Sequence, residues 1–144
     1  MTRAPSVYLA VTYGALVIAA WGLTSLVRDE DVMRYSDAGP LLGPAMAVAA
    51  TLAVGGWISQ ARRGGGVLLS AVGAAASTWF ALVLVGAVGL TLTRGTLGTM
   101  LLFAGSYAAS PFVLVPVGLA ALLVGGVAVV SRRAKPFARP YSED

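Results

Sequence analysis

Cysteine, histidine and asparagine are absent from this chain, and glutamine occurs once, at Gln60. Without cysteine no disulfide can form, so redox compartment is not legible. The ordinary ligands of zinc, iron–sulfur clusters and haem are missing, which leaves only weak donors such as Met and Tyr. No cofactor and no metal is expected. A Ser–His pair or a metal-binding His set, as membrane proteases use, cannot be assembled either. Charge is scarce too. Only 11% of the residues are Asp, Glu, Lys or Arg, against about 25% in ordinary soluble domains.

The charges that exist are bunched. None occurs in Ala4–Val27, Ala38–Ala61, Gly64–Thr93 or Gly95–Ser131. A helix of about 20 apolar residues crosses the roughly 30 Å of a bilayer's hydrocarbon. Together with a hydrophobic share of 58%, these runs specify an all-α integral membrane protein. The expected spans are residues 6–27, 40–59, 67–92 and 111–130, a four-helix bundle within one membrane domain. The apolar run from Val7 to Val27 outlasts a signal core of about 7–15 residues, so it reads as a retained helix. Tyr8, Tyr13 and Trp21 stand toward its two ends, where aromatic anchors at the interfaces belong.

Between Thr99 and Val130 the apolar block is too long for one ordinary span and too short for two. Pro111 divides it, since the residue before a proline tends to leave helical geometry. Residues 97–110 then form a short helix with Leu97, Met100, Leu101, Ala104 and Ala108 at helical spacing. Such a helix either lies in the interface or dips in as a re-entrant segment, and the interfacial placement is preferred.

Basic residues set the orientation. Four spans put Arg3, Arg62, Arg63, Arg132, Arg133, Lys135 and Arg139 on one side, and Arg28, Arg34 and Arg94 on the other. The positive-inside rule places the first set, with both termini, in the cytoplasm. Arg132, Arg133, Lys135 and Arg139 are then candidates for anionic lipid headgroups, each contributing about 1 kcal/mol. This set is too small and too close to the membrane to suggest nucleic acid. Arginine outnumbers lysine nine to one, a bias that points to a GC-rich, bacterial genome.

"DAGPLLGP", from Asp37 to Pro44, reads as a reinforced helix entrance. Pro40 suits the first helical position, where an N–H would lack a partner, Pro44 one turn later removes the bond to the Pro40 carbonyl, and Gly39 and Gly43 let the chain bend beside the prolines. Asp37 can accept N–H bonds near the positive end of the helix dipole. A cation or partner site at Asp37 is the alternative. "GLTSLVR" from Gly22 and "GLTLTR" from Gly89, each followed by a proline-marked helix, also raise an ancient duplication, with chance similarity as the competing account. "SDAGPLLGP", the later "SPF" at Ser110–Phe112, and the layout of spans resemble small four-helix integral membrane proteins of unknown function from high-GC Gram-positive bacteria. That resemblance implies topology and no site residues.

Inside the spans only small residues and hydroxyls remain. Ala45, Ala49, Ala53 and Gly56, then Gly73, Ser77 and Ala81, then Gly118, Ala121, Gly125 and Ala128 follow helical spacing. Such lines let helices approach closely in lipid, within the bundle or against another protein. No ionisable side chain lies in a span, so proton-coupled transport lacks its carrier and voltage sensing its arginines. Trp79, midway along the third span, needs a partner for its indole N–H, which a Ser or Thr on a neighbouring helix can supply. The expected function is therefore non-enzymatic: an accessory or scaffold subunit that packs against a membrane-protein partner or its own copies. A passive pore or lipid-handling oligomer, with hydroxyls at Thr51, Ser70, Ser77 and Thr78 along its path, is the alternative.

Overall fold

The structure is a computed structural model, and it describes residues 4–29, 41–95 and 97–134. Among these the chain is helical throughout, with α1 (Ala4–Arg28), α2 (Leu42–Arg62), α3 (Val67–Arg94), α4 (Leu97–Tyr107) and α5 (Pro111–Arg133). Four of them, all but α4, are long and apolar enough to cross a membrane. Arginines close α1, α2 and α5, where a charged side chain ends the uncharged run and suits the negative end of the helix dipole.

Local chemistry explains the boundaries. Gly95 ends α3 in the left-handed region at φ 71°, its N–H donating to the Thr91 carbonyl at 2.7 Å, a helix stop that glycine adopts without a Cβ penalty. Ser110 starts α5, its hydroxyl accepting from the Phe112 N–H at 3.3 Å, with Pro111 as the first helical residue. α2 begins at Leu42, so Pro44 falls in its first turn, where no N–H would have an internal acceptor. Its N-cap, Leu41, makes no side-chain capping bond. Asp37, Gly39 and Pro40 lie outside the described residues.

Successive long helices run antiparallel. Gly73 meets Trp57 and Gly89 meets Leu42, which fixes α3 against α2. Gly125 meets Ala71, which fixes α5 against α3, and Gly14 meets Thr51, which fixes α1 against α2. α2, α3 and α5 touch one another along their lengths, and α1 lies over the seam between α2 and α5. The core runs through Val17, Met46, Val54, Ile58, Leu82, Leu90, Val113 and Val124, all fully enclosed. The termini of α1 and α5, the Arg62–Gly66 turn and the first residues of α3 gather at one end. Arg62 reaches Ser6 there at 3.3 Å, and Arg132 lies against Gly66.

α4 does not lie flat across the far end of the bundle. It packs on α3 and folds back along it, with Phe103 and Tyr107 buried and their rings stacked at 4.7 Å. Its C-terminal side reaches Trp79, near the middle of α3, whose indole N–H donates to the Ala108 carbonyl at 3.0 Å. The inward face is Met100, Phe103, Ala104, Tyr107 and Ala108, whereas Leu101 points outward. α4 therefore lies alongside α3 and not beyond its end. The physical reason is that the two aromatic rings need an apolar bed, and α3 supplies it at Gly86, where a Cβ would meet the Phe103 ring at 2.5 Å.

Candidate functional site

Two aromatic side chains of α1 tie it to α5. The residue at 116 is proline, so the carbonyl of Phe112, one turn earlier in α5, loses the N–H that a helix normally gives it. In lipid no water replaces that partner. The Trp21 indole N–H donates to the Phe112 carbonyl at 2.7 Å, and the Tyr13 hydroxyl donates to the Pro116 carbonyl at 3.0 Å. α1 is thus fastened to α5 at its proline. Both side chains are buried, Tyr13 at 0% and Trp21 at 6% exposure. They are core tethers and not the interfacial anchors their positions suggested; of the three aromatics in α1, Tyr8 alone faces outward. The signal for this was present in Pro116 itself, which requires a donor from somewhere.

Trp79 follows the same logic. Its indole bonds not to a Ser or Thr but to Ala108, whose carbonyl follows the last turn of α4. Changing Trp79 to Phe should therefore loosen α4 alone. Hydrogen exchange of the Leu97–Tyr107 amides should quicken by about tenfold, a loss of roughly 1.4 kcal/mol of local protection, while α2 and α5 stay as protected as before.

Most hydroxyls are absorbed by their own helices. Thr24 donates to the Ala20 carbonyl, Thr51 to Ala47, Ser59 to Gly55, Ser77 to Ala74 and Thr91 to Ala87. This is how a lipid-embedded helix satisfies Ser and Thr. Of the buried hydroxyls, Ser70 meets no partner in hydrogen-bond geometry, and Thr78 stands beside the Tyr13 hydroxyl. The four hydroxyls considered as a path do not share a surface. Thr51 lines a cleft between α1 and α2, Ser77 is half-buried, and Ser70 and Thr78 are sealed in the core.

The small residues divide between inside and outside. Gly73 lies under the Trp57 ring, and Gly125 packs on Ala71, where a Cβ would stand 3.4 Å away. Ala49, Ala53, Ser77 and Ala121 are half-buried. Ala45, Gly56 and Gly118 are exposed, and a Cβ at Gly56 or Gly118 would meet no atom within 4 Å. The stripe of α2 that enters the core is Met46, Ala50, Val54, Ile58 and Ala61, one residue round from the alanine line. Three further glycines, missed in the sequence, make close approaches: Gly14 to Thr51, Gly86 to Phe103 and Gly89 to Leu42.

Among the described residues, two concavities of several hundred Å³ open beside α1. One, about 540 Å³, lies between α1 and α2 and is walled by Gly14, Ile18, Trp21, Gly43, Pro44 and Val48. The other, about 710 Å³, lies between α1 and α5 at the arginine-bearing end. Arg62, Arg63, Arg132 and Arg133 are all exposed at that end, while Arg28 and Asp29 are exposed at the opposite one. Lys135 and Arg139 lie outside the described residues, as do Glu30 and Asp31. Among the described residues no three acidic side chains gather to hold a metal ion.

These features define a small multi-pass helical membrane protein, in which aromatic donors hold segments to one another. The chain belongs to DUF6121, a family of unknown function that matches it over residues 3–142. No curated protein and no solved structure matches it.

Proposed function

We propose that this protein is a non-catalytic accessory subunit that sits in a bacterial plasma membrane with both termini cytoplasmic and packs against a larger membrane protein. One observation carries the reading. The bundle has placed Gly14, Gly73, Gly86 and Gly89 at its own helix contacts, yet Gly56 and Gly118 remain bare on the outer faces of α2 and α5. Bare glycines on a lipid-facing helix let a second backbone approach closely, and such small residues are enriched where helices associate in a bilayer. The clustering of Arg62, Arg63, Arg132 and Arg133 at one end supports the orientation.

A lipid-handling role is the second reading, and the apolar α1–α2 cleft favours it over a pore, since the hydroxyls line no common path. Purification of the tagged chain from its native membrane in mild detergent separates these readings. A specific larger membrane protein should accompany it, and Gly118→Leu should cut that recovery at least tenfold without lowering the thermal stability of the isolated chain. Recovery of this chain alone, or only of further copies of itself, would count against the accessory role.

A further inference from the structure

The groove between α1 and α5 has a charged rim and an apolar floor. Its walls are Leu9 of α1 and Leu123, Gly126 and Val127 of α5, and Tyr8 flanks its entrance. Arg62 and Ser131 stand at its mouth. Arg62 is the last residue of α2, and its guanidinium is held over the opening by the hydroxyl of Ser6, at 3.3 Å. The groove lies beyond Tyr13 on the side away from Trp21, so it begins where the two tethers between α1 and α5 stop. At about 710 Å³ it is in the size range of small-ligand sites, roughly 300–1,000 Å³.

We infer that this groove is a binding site for one anionic phospholipid, its phosphate on Arg62 and Ser131 and an acyl chain along Leu123, Gly126 and Val127. Three arguments converge. A guanidinium pairs with a phosphate through a fork of N–H donors. A crevice open to the bilayer is filled from it, and the molecules there carry a headgroup at the depth where α2 and α5 end. Gly126 removes the side chain that would otherwise occupy the floor, and a Cβ there would meet no atom within 4 Å. This differs from general attraction to a charged surface, which Arg63, Arg132 and Arg133 supply without lining the groove.

The test uses the full chain in nanodiscs of mixed phosphatidylglycerol and phosphatidylcholine, followed by mild delipidation and native mass spectrometry. One phosphatidylglycerol should be retained per chain in preference to phosphatidylcholine. Arg62→Gln should weaken retention about fivefold, the loss expected of one basic residue at the headgroup level. Gly126→Leu should abolish retention by filling the floor, and Arg63→Gln should leave it unchanged. Circular dichroism checks that each variant keeps its helicity; Arg62 is exposed, so its replacement leaves the core untouched. Equal retention of the two lipids, equal losses from Arg62→Gln and Arg63→Gln, or full retention in a folded Gly126→Leu would each overturn the site.

Discussion

Replacing Trp21 with Phe should lower the stability of the folded chain, with about 1–2 kcal/mol of the loss owed to the hydrogen bond, and that part should disappear in a Pro116→Ala background. The first part follows from the 2.7 Å bond between the indole N–H and the Phe112 carbonyl. A carbonyl stranded in a buried, water-free place costs about 1–3 kcal/mol, and interhelical bonds in membranes contribute about 0.6 and at most about 1.7. The second part follows from the proline. The Pro116→Ala change would restore the backbone N–H that α5 lacks, so the Phe112 carbonyl would no longer depend on α1. The change in volume from Trp to Phe occurs in both backgrounds and cancels in the double-mutant cycle. Tyr13→Phe is the internal control. Its partner is the carbonyl of residue 116 itself, which any amino acid there retains, so its cost should be the same with either residue at that position. Equilibrium unfolding in mixed micelles measures all of these. A cycle with no coupling between 21 and 116 would show that the tether does not answer the proline.

The larger effect is expected at Gly86. A Cβ there would stand 2.5 and 2.6 Å from two Phe103 ring carbons and 3.4 Å from the Met46 methyl. Phe103 is fully enclosed and stacked on Tyr107, and Met46 is enclosed as well. None of the three can move aside without opening the core. Gly86→Ala should cost about 2–3 kcal/mol, the upper part of the range for overpacking, and Gly86→Leu should prevent α4 from docking. Gly73→Ala should be milder, because the obstructing atoms are the far edge of the Trp57 ring, and Trp57 is only half-buried and free to turn outward. Gly56→Ala should be neutral or slightly stabilising, since alanine is about 1 kcal/mol better than glycine in a helix and nothing stands near that position. Thermal unfolding of the four variants should reproduce that order. A Gly86→Ala protein as stable as Gly56→Ala would mean that α4 does not sit against α3.

The spans were legible because they are one-dimensional. An uncharged run either reaches across hydrocarbon or does not, and the arginines that end α1, α2 and α5 mark where it stops. The missing His and Cys were equally plain from composition, and among the described residues no Asp or Glu lies within a long helix. Gly73 and Gly125 could be named as packing positions from their spacing, and both lie at helix contacts.

Which face of each helix turns inward was not legible, and the reason is the solvent. In water the buried face is the apolar one, so periodicity reveals it. In lipid both faces are apolar, and α2 shows neighbouring stripes, Ala45–Ala49–Ala53 and Met46–Ala50–Val54, that hydropathy cannot tell apart. Only the tertiary structure chose the second, because Met46 and Val54 fill space between helices that alanine would leave empty. It also decided the fate of the aromatics. Tyr13 and Trp21 end on backbone carbonyls of α5, and Trp79 on the Ala108 carbonyl just past α4. A proline such as Pro116 announces in the sequence that a carbonyl needs a donor, but which side chain reaches it depends on how the helices stand in three dimensions.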